Sequence, residues 1–279
     1  MDAQRYEKKK DSSITSQATI ASRYIVSSTI RKGTYEFKIF NNLYSEKKGS
    51  VGNLSDRSSF FTTSINALYG LNNRVNVGFV TRYRQVRNHP LPSSAFEVFG
   101  SDDSANSRSG FTAFGPLIRY APVPHWENFS IQSSFVFPIG NDLAGNDALP
   151  YIDWSGPTWI TQFFNDFPLG NSFTLFTEVD IILEDIGRLT NGHVNRFSTP
   201  GTMILSYFPN PNTTIYGLTG FSPFWAGDFD YFAQAGMGAK YQFTPKLELE
   251  LLYTKFTNEF LSQSGGQAAT YNLGLRFNI

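Results

Sequence analysis

The chain of 279 residues contains no cysteine, which excludes a disulfide scaffold, a thiolate-bound zinc or iron–sulfur centre, and a cysteine nucleophile. Histidine is almost as scarce. His89, His125 and His193 are not spaced as metal ligands, and no glycine-rich phosphate loop joins a strand to a helix, so neither a metal nor a cofactor is expected. Charge is also in short supply, at 16% of residues against about 25% in ordinary soluble domains. The 23 basic and 23 acidic side chains cancel, which argues against nucleic acid held by bulk electrostatics and against a polybasic membrane-surface binder. No apolar run approaches the roughly 18–20 residues of a membrane-spanning helix. The first residues, MDAQRYEKKKDSS, lack the apolar core of a secretory signal, so the chain reads either as cytoplasmic or as a mature form without its signal.

What is abundant is aromatic: 27 Phe and 14 Tyr. They fall on a period of two. Tyr271, Leu273, Leu275, Phe277 and Ile279 alternate with Asn272, Gly274, Arg276 and Asn278, which puts one face of a strand in apolar groups and the other in small or polar ones. Tyr231–Phe243 and Leu247–Thr254 repeat the pattern, with Leu252 the exception. Phe173–Glu184, Asn128–Ile139, Arg74–Arg84, Phe114–Tyr120 and Tyr35–Leu43 follow it with less contrast. Runs near 57–70, 157–169, 197–209 and 213–223 bring the expectation to about twelve strands of roughly 9–13 residues.

The links between these strands alternate in length. Gly70–Asn73, Val123–Glu127, Pro168–Ser172, Pro209–Thr213 and Thr244–Lys246 are tight, whereas 46–56, 89–108, 140–156, 185–196, 224–229 and 259–267 are long and polar. Short turns at one end and long loops at the other are the layout of a bacterial outer-membrane barrel. A soluble β-sandwich also alternates, but its strands average about 5–6 residues and its outer face does not need such a crowded mixture of glycine and charge. The expectation is therefore an all-β, closed antiparallel up-and-down transmembrane barrel over 34–279, in the outer membrane of a Gram-negative bacterium. Residues 1–33 precede it as a segment that either stays in the periplasm or enters the lumen.

The last strand resembles the C-terminal insertion signal of outer-membrane proteins, with Ile279 standing where that signal usually has Phe. Two stretches, Asn66–Gly78 (NALYGLNNRVNVG) and Thr214–Thr219 (TIYGLT), are similar to the repeated hairpins of transporter-like outer-membrane barrels assigned to meta-pathway phenol degradation. That resemblance implies fold and location. It says little of activity.

On this reading the inner wall carries Glu36, Lys38, Arg82, Arg84, Arg119, Glu178, Asp180, Glu184, Lys240, Glu248, Glu250 and Arg276. Two roles are open to them. Arg82, Arg84 and Arg119 stand well around the wall from Glu178, Asp180 and Glu184, and such a separation sets a transverse field across a wet constriction. Alternatively, Glu36, Lys38, Lys240, Glu248, Glu250 and Arg276 meet when the barrel closes, and opposite charges fill the interior as ion pairs.

An enzymatic reading fares worse. Outer-membrane phospholipases use Asn, His and Ser near the outer rim; His193, Asn195 and Ser198 are close in sequence, but their surroundings do not match, and no catalytic residue is assigned. Loops 89–108 and 140–156 carry Phe96, Phe99, Tyr151 and Trp154, and Phe221–Trp225 adds more aromatics; these side chains fold over the mouth, bind a ligand or dock another outer-membrane protein. The expected function is passive or facilitated passage of a small solute. The alternative is a plugged barrel acting as a structural or accessory subunit of a larger outer-membrane complex. Expected partners are outer-membrane lipid, an unidentified small solute and, on the alternative, that second outer-membrane protein, but no nucleic acid.

Overall fold

The structure, a computed structural model, describes residues 27–50, 53–100, 106–145, 149–187, 196–256 and 267–279. Twelve antiparallel strands follow one another around a closed wall: β1 Tyr35–Ser50, β2 Asn53–Asn72, β3 Val75–Pro90, β4 Ser107–Tyr120, β5 Phe129–Pro138 and β6 Thr158–Pro168. They continue as β7 Phe173–Glu184, β8, β9 Thr213–Ala226, β10 Asp228–Thr244, β11 Leu247–Phe256 and β12 Gln267–Asn278. The strand β8 comes in two pieces, Arg196–Ser198 and Gly201–Asn210. Pro200 interrupts it because proline has no N–H for the ladder. The bulge is held on both sides, by Asp180 N–H donating to the Pro200 carbonyl at 2.8 Å and Thr199 N–H donating to that of Pro223 at 3.2 Å. Closure is made by β1 against β12, in register from Glu36 opposite Asn278 to Lys47 opposite Gln267. A closed ladder leaves no edge, as a wall in hydrocarbon requires.

The outward face is the apolar one. Phe79, Phe114, Val179, Leu205, Ile215, Met237 and Leu251 are all exposed large side chains on it. Aromatic pairs gather at its two ends. Tyr35 with Tyr69, Trp126 with Phe129, Phe173 with Tyr207, and Tyr241 with Phe243 lie at the end of the tight turns. Tyr83 with Phe111, Phe197 with Trp225, Phe221 with Tyr231, and Tyr253 with Tyr271 lie at the other. From Tyr231 to Tyr241 the chain climbs about 33 Å at roughly 3.3 Å per residue, or about 25 Å along the barrel axis at a tilt near 40°, the height of an outer-membrane apolar band. The aromatic belts therefore sit at the two lipid–water boundaries, and the barrel is an outer-membrane one. The few polar groups on this face satisfy one another: Thr63 Oγ1 donates to Asn41 at 2.8 Å, and Trp159 Nε1 donates to Ser133 Oγ at 2.9 Å.

Two of the expected long loops are strand. Residues 46–56 are largely the ends of β1 and β2, which pair as far as Ser50 and Asn53. Residues 224–229 are a tight hairpin in which β9 and β10 stay paired to Ala226 and Asp228, turning on Gly227 at φ 90°. The polar run 46–56 stands above the membrane, where a strand loses the alternation that reports a wall, and in 224–229 the turn at Gly227 interrupts the pattern. No helix among the described residues is long and apolar enough to cross a membrane, which says nothing of strands.

Candidate solute pathway

The inside of the barrel is built in three levels. At the lower mouth, by the tight turns, residues 27–33 run against the inner wall before β1 begins. Ser27 is fully buried: its N–H donates to the Asp166 carboxylate at 2.9 Å, and its hydroxyl lies 2.5 Å from Asp166 and 2.6 Å from the Asn128 carbonyl. Ser130 Oγ donates to the Ser27 carbonyl, and Arg119 Nη1 to that of Ser28 at 3.4 Å. Asn76 brackets Ile30, accepting from its N–H at 2.9 Å and donating to its carbonyl at 3.0 Å. Gly70 is needed here because the Arg31 backbone occupies the place of its missing Cβ. Residues 1–26 lie outside the described residues.

Above this lies a charged belt. Glu36 is held between Lys38 Nζ at 3.2 Å and Arg119 Nη1 at 3.5 Å. Arg276 pairs with Glu248 at 2.9 Å, and Lys240 with Glu250 at 3.5 Å. The Tyr216 hydroxyl donates to Glu250 at 2.5 Å, its ring filling the space that a Cβ on Gly238 would take. On the far wall a row of amides crosses four strands. Arg119 donates to Gln132 Oε1 at 2.7 Å, Gln132 to Gln162 at 2.9 Å, and Gln162 to Glu178 at 2.7 Å. Asp180 stands one inward position above Glu178, opposite Gln162 across the ladder. A cavity of about 280 Å³ borders Lys38, Phe40, Asn66, Lys240, Glu250 and Arg276.

The upper level is a chamber of about 570 Å³, ringed by Phe40, Tyr44, Phe60, Tyr151, Trp154, Phe232 and Phe256 among polar Asn42, Thr62, Gln234 and Asn272. Phe40 borders this chamber and the belt cavity alike, so it forms the neck between them. Residues 139–145 and 149–157 fold down into the chamber from the outer rim. Leu143 and Ile152 pack with Val86, against Phe60, in a small core inside the wall. Asp153, 2% exposed, receives Arg82 at 3.1 Å, Arg84 at 3.1 Å and the Thr112 hydroxyl at 2.6 Å. Trp154 Nε1 donates to Glu184 at 2.9 Å, and Glu184 also meets Arg196 at 3.4 Å. Burial pushes the Asp153 carboxyl up, but the two guanidiniums, the Thr112 hydroxyl and the Trp154 N–H together hold it below its ordinary 3.8. Burial pushes the Tyr151 phenol up to about 12, so it stays neutral.

Each charge named from sequence thus has a definite neighbour. Glu36, Lys38, Lys240, Glu248, Glu250 and Arg276 come together with Arg119 in the belt. Arg82 and Arg84 do not face Glu178, Asp180 and Glu184 across open water, because Asp153 stands between, and Arg119 is joined to Glu178 through the two glutamines. The charges are interleaved and not sorted to opposite walls. Sequence reading missed Asp153, Asp166, Gln132, Gln162, Tyr216 and the inward Phe40, Phe60 and Leu218. Asp153 had a signal: Arg82 and Arg84 are successive inward arginines whose ladder partners, Ser64 and Thr62 in β2 and Ala113 and Gly110 in β4, supply no acid. Two buried cations so placed require a counter-charge from a loop. Of the three residues tested as a phospholipase-like group, His193 and Asn195 lie outside the described residues, and Ser198 is a ladder residue of β8.

The sequence matches no protein-family model and no curated protein. Solved structures do resemble the fold. An outer membrane channel from Pseudomonas putida F1 is 13% identical, with 91% of this chain and 98% of that one covered at a TM-score of 0.61. The translocator domain of the autotransporter NalP from Neisseria meningitidis is 8% identical, covering 97% of each chain at 0.54. The β domain of a Bordetella autotransporter is 13% identical, covering 88% and 98% at 0.54. A channel and two autotransporter domains share this architecture, so the likeness speaks for the barrel alone.

Proposed function

We propose that the chain is a passive outer-membrane channel for a small solute, with residues 139–145 and 149–157 as its constriction. The observation that carries this reading is the neck at Phe40: two cavities, about 570 and about 280 Å³, meet at one side chain and together border the inner faces of β1, β2 and β9 to β12. A barrel filled for structure alone has no use for such volume. Because acids and bases alternate along the path, neither sign is favoured, and selection is by size and by the aromatic ring of the upper chamber. The buried Nε–H of Arg84 borders that chamber without a protein acceptor, so water or a polar group of the solute supplies one. An aromatic chamber agrees with the likeness of the Asn66–Gly78 and Thr214–Thr219 hairpins to barrels of meta-pathway phenol degradation, which makes small phenolic solutes the first to test.

Proteoliposomes holding the full chain are expected to swell in small sugars, faster for arabinose than for raffinose, and to show a cation-to-anion permeability ratio within about threefold of unity. Swelling in none of these solutes, phenols included, would remove the channel reading. The second reading, a plugged accessory barrel, is favoured by one feature, the Ser27–Asp166 clasp in the lower mouth. Asp166→Ala is expected to free residues 27–33, seen as faster amide exchange there, and to raise conductance modestly. If it alone turns a silent barrel into a conducting one, the clasp is the plug and the resting protein is not a channel.

A further inference from the structure

The described part of the loop between β3 and β4, residues 91–100, does not cover the mouth. Its single 3-10 turn, Ala95–Phe99, capped by Ser94 and Glu97, lies on the outer wall. Ala95 and Val98 are buried against Leu43 of β1, with Phe61 of β2 beside them, and the Phe99 ring meets Phe61 edge-on at 4.8 Å. Phe96 reaches across the closing seam to Tyr271 of β12 at 5.7 Å. Phe96 and Phe99 nevertheless stay 57% and 50% exposed, at the height of the outer aromatic belt. Directly above, on the same outward face, Lys47, Arg57 and Arg87 lie on three adjacent strands, with Lys47 opposite Arg57 and Arg87 opposite Ser59. Arg57 is fixed by donating to Ser45 Oγ at 2.7 Å, and Arg87 by donating to the Glu97 carbonyl at 3.1 Å. The arginines are thus held in place, half-buried, with Glu97 and its partner His89 close by.

Two greasy rings under two fixed arginines and a lysine match one kind of neighbour. Lys47 stands four residues beyond Leu43, about 13 Å along the strand at roughly 3.3 Å per residue, which carries the basic row from the hydrocarbon edge to the phosphate plane of the outer leaflet. We propose that this face binds a phosphorylated, multi-acyl glycolipid of the lipid A type, its acyl chains on Phe96 and Phe99 and its phosphates on Arg57, Arg87 and Lys47. The charge is complementary, guanidinium forks match phosphate oxygens, and the site lies where such lipid is the solvent. This rests on the orientation of the barrel in the membrane and not on conduction.

The test is a titration of the full detergent-solubilised chain with bisphosphorylated lipid A, read by native mass spectrometry. Lipid A stripped of both phosphates and phosphatidylglycerol are the competitors, and retention of the folded band on unheated gels is the folding control. The bisphosphorylated lipid is expected to be retained preferentially, and R57Q/R87Q to weaken it about thirtyfold. F96S/F99S is expected to weaken all the lipids together. Undiminished binding by folded R57Q/R87Q, or equal retention of the phosphate-free lipid, would overturn the proposal. So would a chain dimer that excludes lipid and disappears in F96S/F99S, because the patch would then belong to a second copy.

Discussion

Asp153→Ala is expected to raise single-channel conductance about two- to threefold, the largest effect of any single change inside the barrel. Asp153 is the carboxylate on which both Arg82 and Arg84 converge, and its removal leaves two part-buried guanidiniums without their anion. Breaking a buried pair in this way costs about 3 kcal/mol, toward the low end because each arginine keeps a fifth or so of its surface wet. The loop is then left to the Leu143–Ile152–Val86 contacts, the Arg108 bonds to the Asn141, Asp142 and Pro150 carbonyls and the Trp154–Glu184 bond, and with two repelling guanidiniums beside it, it is expected to swing out of the chamber. Planar-bilayer recordings of the variant beside the wild type check it. Acid should do the same to the wild type. A carboxyl held below its ordinary value in the folded form stabilises that form above the unfolded value, about 3.9, and loses its contribution as pH falls through the lower folded value. The wild-type step in conductance is therefore expected below about pH 4, and Asp153→Ala is expected to show none. An unchanged conductance in the variant would mean that the loop does not narrow the path.

The second large effect concerns the wall. Met237 lies midway along β10, between Tyr231 and Tyr241, and is 71% exposed on the outward face. Met237→Arg is expected to destabilise the barrel by about 2–4 kcal/mol in phospholipid vesicles, the cost of a cation at the bilayer midplane. Gln234→Arg, on the inward face of the same strand and bordering the upper chamber, is expected to cost far less. Denaturant titrations of refolded protein measure both, and equal costs would contradict the assignment of faces.

How far the sequence goes is clear from individual strands. In β12 and β10 the period of two is nearly unbroken from Tyr271 and Tyr231 onward, because hydrocarbon outside and water inside impose opposite demands on neighbouring residues, and these strands are legible over most of their length. Alternation fails where the physics is different. Above the membrane, β1 and β2 are wet on both faces, so 46–56 read as loop. Inside, Phe40, Leu218 and Leu252 face the lumen because a chamber lined partly by rings has no polar requirement there, and Leu252 read as an exception to its strand. Loop placement left still less trace: Phe96 and Tyr151 look alike in sequence, yet one lies on the outer wall and the other in the chamber. What separates them is tertiary. The Arg82–Arg84 pair draws Asp153 inward, and the apolar patch of Leu43 and Phe61 receives Ala95 and Val98 outside. Of the charges, the closure of β1 on β12 was enough to foretell the Glu36–Lys38 and Arg276–Glu248 neighbourhood. The interleaving of Arg119 with Glu178 was not, since it depends on two glutamines without charge.

The chain's lack of cysteine allows the aqueous path to be probed one position at a time. Along β2, Thr62 borders the upper chamber, Asn66 the cavity below Phe40, and Ile65, next to Asn66, lies on the outward, lipid-facing side. Thr62→Cys, Asn66→Cys and Ile65→Cys, each in sealed vesicles with the long loops outward, are treated from outside with a membrane-impermeant cationic thiosulfonate. A continuous path requires that Thr62→Cys and Asn66→Cys both react, Asn66→Cys more slowly, and that Ile65→Cys stay unmodified. An inert Asn66→Cys beside a reactive Thr62→Cys would place a seal at Phe40 and contradict conduction, and a reactive Ile65→Cys would contradict the wall itself.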